Sequence, residues 1–181
     1  ATFTRPDKTE IKVNSDYLFG ADGSNSKVRR LMQEQPRISF SLEFMPMSYI
    51  ELNISANDDG THKLAEVEAL HIWSRGDFML IALPNTDGSF TCTLFLNYEG
   101  EISFKALQTE ADIQNFYETY FADVLPLLDT PVYHFLTRIP CPLALIDIYP
   151  WVLNNTCLIG DACHAIVPFY GQGMNCGLED C

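Results

Sequence analysis

The sequence is poor in basic residues and lacks a long apolar run. Its 181 residues include 11 lysines and arginines against 24 aspartates and glutamates, which gives a formal net charge of −13. Nucleic-acid phosphates and anionic membranes repel a surface this acidic, so the net charge disfavours both as binding partners. A transmembrane helix needs about 18 or more consecutive apolar residues. The sequence contains no such stretch, so no membrane-spanning helix is predicted.

Metal and disulfide signatures are also missing. The six cysteines form no Cys-x-x-Cys pair, which argues against a zinc site or a disulfide framework and favours buried, reduced thiols. The four histidines, at positions 62, 71, 134 and 164, show no metal-ligand spacing. With 47% hydrophobic and 19% charged residues, the composition is that of a globular domain.

The two ends of the sequence suggest that it belongs to a longer protein. It opens with Ala1 instead of a methionine and ends at Cys181, within a predicted helix. We therefore expect an internal fragment, with parts of any functional site supplied by segments outside it.

The hydrophobic pattern predicts an α/β (α+β) fold in which two similar units flank a mainly antiparallel sheet. Residues 16–23 form an apolar strand that enters a glycine-rich turn, and residues 24–32 follow as a helix. Residues 153–181 repeat this order of strand, glycine loop and helix. We therefore assign 1–35 and 153–181 to one domain, and 36–152 to an inserted one.

The inserted segment is rich in strand patterns. Alternating apolar residues from Ile38 to Phe44 predict a half-buried strand, and residues 47–54 predict another. Residues 78–83 and 90–96 are joined by a turn and predict a hairpin. Helical spacing of aromatic residues predicts a helix over 109–122, and alternation predicts strands over 133–149.

The richest candidate site lies in residues 157–180. A short apolar strand ends at Gly160, and Asp161 follows at the carboxyl end of that strand, where α/β sheets bind ligands. The pair Gly171 and Gly173 allows the backbone to approach a flat ligand closely. A helix that begins near Gly173 directs free N–H groups at the same place. His164 follows the turn and is interpreted as structural.

Two motifs in this sequence resemble those of single-component FAD-dependent aromatic hydroxylases. Residues 160–180 resemble the second FAD-binding motif of that family. Residues 20–23, with Ser26, Val28 and Arg29, resemble its other internal motif, which contacts the FAD and NADPH paths. Within the family, residues 70–73, 78–85 and 89–95 are most similar to strands of the members that hydroxylate L-kynurenine.

The resemblance implies an activity and a set of site residues. The cofactors would be FAD and NADPH, and O2 would be used to convert L-kynurenine to 3-hydroxykynurenine. The flavin would be held by residues of both motifs, with Asp161 on the ribityl chain and Asp22 near the pyrophosphate: Asp22, Asp161, Gly171, Gln172, Gly173, Met174 and Asn175. The carbonyl of Pro168 would lie near the reacting face of the flavin. The substrate would contact Phe169 and four apolar residues: Leu70, Ile81, Leu83 and Phe95.

Several alternatives stay open at the level of sequence. On pattern alone the four apolar residues are sheet core, and only the family likeness places them in a pocket. Cys163 and Cys176 stand where the family usually has small residues such as alanine. No Gly-x-Gly-x-x-Gly unit precedes Gly20, so the site for the FAD adenosine is expected outside this sequence. The chain could serve another aromatic-ring hydroxylase, or be a non-catalytic fragment that acts only as an interaction module. By resemblance the parent protein is expected at the mitochondrial outer membrane, or otherwise in the cytoplasm.

Overall fold

The computed structural model describes residues 1–181, which form two compact units. One unit combines Ala1–Glu43 with Ala144–Cys181, and the other is Phe44–Leu143. The sequence placed these boundaries at residues 36 and 152, several residues outside the observed ones. The observed divisions fall within two long strands, and a strand that continues from one unit into the next shows no change of composition at the boundary. The assignment of the units to cofactor and substrate stays a prediction.

The helices and strands are named in chain order. The strands are β1 Thr2–Thr4, β2 Glu10–Lys12, β3 Leu18–Gly20, β4 Ser39–Ile54, β5 His71–Arg75, β6 Phe78–Pro84, β7 Phe90–Asn97, β8 Cys141–Tyr149, β9 Val152–Leu153 and β10 Thr156–Leu158. The helices are α1 Lys27–Gln33, α2 Glu110–Tyr120, α3 Pro131–Thr137 and α4 Gly173–Glu179. None of these helices combines the length and the apolar character that a membrane crossing requires.

The discontinuous unit is built on a parallel pair of strands from opposite ends of the chain. Strand β10 pairs with β3 in parallel, with Leu158 opposite Gly20, and β9 adds to β10 in antiparallel orientation. A small core of buried residues lies beside the pair: Met32, Ile148, Leu158, Ala162 and Cys163. Because β3 and β10 are parallel neighbours, the turns that follow them leave from the same edge.

The continuous unit is an antiparallel sheet with helices on one face. The strands follow the order β5-β6-β7-β4-β8, and the hairpin β6–β7 places Ile81 opposite Thr93. Helix α2 packs buried residues Ile113, Phe116 and Tyr117 into the core. It begins at Thr109, whose side chain and backbone form a capping box with Asp112. The predicted α/β fold class, the hairpin and the helix over 109–122 are confirmed.

Two local predictions were wrong in residues 37–54. A single strand, β4, replaces the two that were expected. Its first half is not buried on one face, since Phe40, Leu42 and Phe44 are 39%, 45% and 62% exposed. Alternation shows which side chains share a face, but it does not show whether that face is covered.

The prediction of strands over 133–149 was wrong for its first residues. Residues 131–137 form helix α3, which starts on Pro131 and buries Phe135. Proline is favoured at the first helical position because its missing N–H has no acceptor there in any case. The strand β8 begins only at Cys141, after the helix has ended.

Candidate functional site

Two glycine turns leave the same edge of the parallel strand pair. Strand β3 runs into Ala21–Gly23 and strand β10 into Ile159–Asp161, and the N–H of Ile159 donates to the carbonyl of Gly20 at 3.1 Å. A side chain at position 20 would clash, because a Cβ there would lie 2.7 Å from Leu158 Cδ2 and 2.9 Å from Val28 Cβ. Glycine is therefore required where the first turn leaves its strand.

Asp22 fixes the first turn to helix α1. Its carboxylate accepts hydrogen bonds from the Ser26 hydroxyl at 2.5 Å and from the N–H of Lys27 at 2.7 Å, with a longer one from Val28. Burial raises the pKa of Asp22, but these hydrogen bonds outweigh burial and hold the pKa below its usual range. Ser26 in turn caps the helix by accepting from the N–H of Arg29. The anionic form of Asp22 therefore organises this turn and the start of α1.

Arg29 joins the two turns directly. Its guanidinium donates from Nη1 to the carbonyls of Ala162 at 3.0 Å and Asp161 at 3.4 Å, and from Nη2 to the carbonyl of Ser24 at 2.5 Å. The residue is 5% exposed, and its Nε has no hydrogen-bond partner. Burial lowers the pKa of Arg29 from its high ordinary value. The motif likeness included Arg29, but no local pattern indicated that it would bridge residues from both motifs.

Asp180 and Gly177 fix the second turn to helix α4. The Asp180 carboxylate accepts from the N–H of Gly160 at 2.7 Å, and it contacts Nε2 of His164 at 2.8 Å. A Cβ at Gly177 would lie 3.2 Å from the Cα of Gly160, so the helix approaches the turn as closely as a glycine permits. His164 also stacks on Trp151, with ring centroids 4.9 Å apart. No sequence pattern indicated this role for Asp180, which lies 16 residues after His164 and one helical turn after Cys176.

Between the turns lies an open cleft of about 460 Å³. Its lining consists mainly of small residues and backbone: Ala21, Gly23, Ile159, Gly160, Asp161, Gly173, Met174, Gly177, Leu178 and Cys181. A Cβ built at Gly23 or Gly173 would meet no atom within 4 Å. Asp161 is exposed at this cleft. The cleft therefore offers backbone groups and one carboxylate to an extended ligand.

The predicted cofactor residues are only partly brought together there. Asp161, Gly173 and Met174 line the cleft, and Met174 is 75% exposed. Asp22 lies in the adjoining turn. The remaining cofactor residues, Gly171, Gln172 and Asn175, belong to the loop before α4 or to its first turn and do not line the cleft. The same holds for Pro168, predicted near the reacting face of the flavin, and for Phe169, predicted to contact the substrate.

The loop before α4 has a defined conformation. Residues 168–170 form a short 3-10 turn that starts on Pro168, and Gly171 follows with φ of 64°, in the left-handed region that favours glycine. Asn175 donates to the side chain of Gln172 at 2.8 Å. No side chain caps the start of α4 at Gly173, so its first N–H groups face outward without a side-chain acceptor.

Three of the predicted substrate residues, Ile81, Leu83 and Phe95, lie on the face of the sheet that helices α2 and α3 do not cover. Strand register puts Ile81 opposite Thr93 and Met79 opposite Phe95, while the helix-covered face carries Leu80, Leu94 and their neighbours. Ile81 and Phe95 are 2% and 0% exposed, and Leu83 is 37% exposed. Leu70 precedes strand β5. Their role as a pocket stays a prediction, but they are not part of the helix-covered core.

The two turns follow adjacent parallel strands and share one cleft. This arrangement is typical of a domain that binds an extended nucleotide-type cofactor. The comparison with known families makes the class specific. The chain belongs to the family described as FAD binding domain, which it matches over residues 1–181. The predicted membership of an FAD-binding family is thereby confirmed.

Curated proteins of similar sequence include kynurenine 3-monooxygenases. The chain is 50% identical over 166 residues to a kynurenine 3-monooxygenase from Flavobacterium johnsoniae, covering 91% of this chain and 37% of that enzyme. It is 47% identical, with the same coverage, to a kynurenine 3-monooxygenase from Christiangramia forsetii. The chain thus spans less than half the length of the curated relatives it matches.

Solved structures share the fold at much lower identity. The chain superimposes on 2-methyl-3-hydroxypyridine-5-carboxylic acid oxygenase with a TM-score of 0.69 at 17% identity, covering 98% of this chain and 45% of that one. For the anhydrotetracycline hydroxylase OxyS from Streptomyces rimosus the TM-score is 0.57 at 22% identity, covering 99% of this chain and 32% of that one. These likenesses establish the fold.

The residues at the cleft fit a bound FAD. Gly23, Gly160, Gly173 and Gly177 leave parts of its walls without side chains, so a ligand can contact the backbone there. The exposed Asp161 carboxylate can accept hydrogen bonds from ligand hydroxyls. A volume of about 460 Å³ accommodates part of so large a cofactor.

Proposed function

We propose that this chain is the central part of an FAD-dependent monooxygenase that converts L-kynurenine to 3-hydroxykynurenine. NADPH would be the reductant and O2 the source of the added oxygen. The observation that supports the proposal most strongly is the cleft between the two turns, in a chain whose relatives at 50% and 47% identity are named kynurenine 3-monooxygenase.

The cofactor side of this proposal depends on the second turn and on α4. Asp161 would accept hydrogen bonds from the ribityl hydroxyls, and Gly173 would let the backbone reach the ring system. Backbone groups of Met174 and Asn175 would hold the pyrimidine edge. When bound, FAD supplies electron transfer and the activation of oxygen, so these residues are needed for binding and orientation.

The start of α4 favours a negative charge nearby. The first N–H groups of a helix lack partners within the helix, and they stabilise anions through the helix dipole. A reduced flavin carries negative charge on its pyrimidine side. The helix that begins at Gly173 would therefore stabilise the reduced cofactor more than the oxidised one.

The substrate-binding part of the proposal depends on an apolar surface of the sheet. Ile81, Leu83 and Phe95 share one face of the sheet, and Leu70 precedes its edge strand. Side chains of this type exclude water and select an aromatic ring. Phe169 would contact the same ring, and the carbonyl of Pro168 would lie near the position of the reaction.

The test is an activity assay in a full-length context. A chimaera would carry these 181 residues in place of the matching segment of the Flavobacterium johnsoniae enzyme. We expect NADPH oxidation that depends on kynurenine, with 3-hydroxykynurenine as the product. A chimaera that binds FAD but oxidises NADPH only with phenolic acids would instead assign the chain to another aromatic-ring hydroxylase. A folded chimaera without FAD would favour the interaction module.

The cellular location stays a prediction. The resemblance suggests the mitochondrial outer membrane for the parent protein, whereas the relatives named above come from bacteria. Fractionation of cells that express the full-length parent protein would test this location. Recovery in the membrane pellet with an outer-membrane marker is the expected result, and recovery in the soluble fraction would contradict it.

A further inference from the structure

A thiol, an imidazole and a carboxylate are neighbours beside the second turn, with the imidazole in contact with both of the others. Nδ1 of His164 is 3.7 Å from Sγ of Cys176, and Nε2 of the same ring is 2.8 Å from both carboxylate oxygens of Asp180. Cys176 and Asp180 are four residues apart on helix α4, so they project from the same side of the helix. The imidazole therefore lies between a potential nucleophile and an acid.

This order of groups is the one that activates a cysteine. The thiolate is the reactive form of the side chain, and a neighbouring imidazole accepts the thiol proton and then stabilises the thiolate as a cation. A carboxylate on the other ring nitrogen fixes the orientation of the ring and stabilises its charged form. Each of these parts is present around His164.

The electrostatics at Asp180 suit this role. Burial raises the pKa of Asp180, but the hydrogen bonds from the Gly160 N–H and from His164 outweigh burial, so the pKa lies below its usual range. Asp180 is therefore ionised at neutral pH. The other groups near the ring are Cys163, whose Sγ is 3.8 Å from Asp180, and Trp151, which stacks on the imidazole.

The other cysteines lack this arrangement. Burial raises the pKa of both Cys92 and Cys163 to about 12, so these two stay protonated. Cys141 and Cys181 are exposed, and their sulfur atoms contact only backbone carbonyls. Cys157 likewise contacts a backbone carbonyl. Cys176, which is partly exposed, is the cysteine with a histidine nitrogen in hydrogen-bond range.

We propose that Cys176 is a nucleophilic thiol, activated by His164 and Asp180, which reacts with small electrophiles ahead of the other cysteines. With an alkyl halide, the thiol proton moves to Nδ1 of His164 and the sulfur attacks the carbon. A carbon–sulfur bond forms, the carbon–halogen bond breaks, and the halide leaves with the electron pair. The proposal does not depend on the proposed oxidoreductase activity.

The experiment is alkylation of the native 181-residue chain with limiting iodoacetamide at pH 6.5, followed by peptide mass spectrometry. We expect Cys176 to be labelled at least tenfold faster than Cys141 and Cys181, although both of these are more exposed. Equal rates at Cys176 and the two exposed cysteines would overturn the proposal.

Variants separate activation from simple accessibility. His164→Gln should lower the rate at Cys176 by tenfold or more. The matched control is His134→Gln, because His134 lies in helix α3 and contacts Arg138 instead of a cysteine. An unchanged rate in His164→Gln would contradict the proposal. Protection of Cys92 and Cys163 reports whether the variant is folded, and if it is not, the ratio of labelling rates in the unmodified chain decides the question.

Discussion

At the scale of single residues, the site depends on buried polar groups that connect segments distant in sequence. Arg29 is the clearest case, since its guanidinium donates to carbonyls of Ser24, Asp161 and Ala162 and has no carboxylate partner in hydrogen-bond range. Hydrogen bonds from a charged group contribute more than neutral ones, and a buried carbonyl left without a donor is costly. Both turns therefore depend on this one side chain.

Replacing Arg29 should destabilise the discontinuous unit. We expect Arg29→Ala to lower the free energy of unfolding by about 2–4 kcal/mol, because it removes the donors of three carbonyls and leaves a cavity. Urea unfolding can be followed by the fluorescence of Trp151 in a Trp73→Phe background, so that the signal comes from this unit. The control is Arg30→Ala, which removes an exposed arginine and should cost less than about 1 kcal/mol. Equal losses in both variants would contradict the role of Arg29.

The carboxylate of Asp180 should make stability depend on acid pH. Its pKa in the folded chain lies below the ordinary value of 3.8, so the ionised form stabilises the folded state above that pH. This contribution is lost as the pH falls below about 3.8 and through the lowered value. We expect Asp180→Asn to be less stable than the unmodified chain at pH 6 and to show a smaller further loss down to pH 3.

Urea denaturation at a series of pH values measures this difference. Asp147→Asn serves as the control, because Asp147 is an exposed aspartate on strand β8. It should retain the acid sensitivity of the unmodified chain. If Asp180→Asn lost stability with acid as steeply as the unmodified chain, another group would be responsible.

At the scale of elements, the position of helix α4 is set by the contact between two glycines. Gly177 packs on Gly160. The backbone of Gly160 has a φ of 61°, in the left-handed region that favours glycine. Gly173, at the start of the same helix, meets no such constraint. Both glycines line the cleft, but only Gly177 also packs on the second turn.

Alanine substitutions at these two glycines should separate packing on the turn from contact with the ligand. Gly177→Ala should lower the free energy of unfolding by about 1–3 kcal/mol, because its Cβ would press on the Gly160 backbone. Gly173→Ala should leave stability within about 0.5 kcal/mol of the unmodified chain but weaken FAD binding. Thermal unfolding and FAD titration of both variants measure this. A Gly173→Ala variant with unchanged FAD affinity would show that the cofactor does not approach the cleft at this residue.

Local signals in the sequence were sufficient for several elements. The helical spacing of aromatic residues was enough to predict helix α2, and the turn residues 84–88 were enough to predict the β6–β7 hairpin. The helix over 131–137 was not predicted, because its apolar residues also fit strand alternation. Pro131 is the residue that favours a helix start there. Bridges such as Arg29 to Ala162 span the length of the chain, so no local pattern could have predicted them.

At the scale of the whole molecule, the two ends of the chain meet in the parallel strand pair. The order of motifs, with a sheet-forming segment between them, was enough to predict that both turns belong to one unit. The pairing of Gly20 with Leu158 shows how this occurs, since it brings both turns to one edge. The sequence could not indicate that β4 and β8 run through the boundaries between the units.

The central claim is that the cleft between the turns holds FAD, and a titration tests it most directly. FAD would be titrated into the chimaera described above and into its Asp161→Asn and Asp147→Asn variants, with flavin fluorescence and the visible spectrum as readouts. We predict that Asp161→Asn weakens FAD binding about tenfold or more, as expected for the loss of a hydrogen bond to a charged group. Asp147→Asn should bind FAD like the unmodified chimaera. Equal FAD affinity in all three folded proteins would contradict the claim that this cleft is the cofactor site.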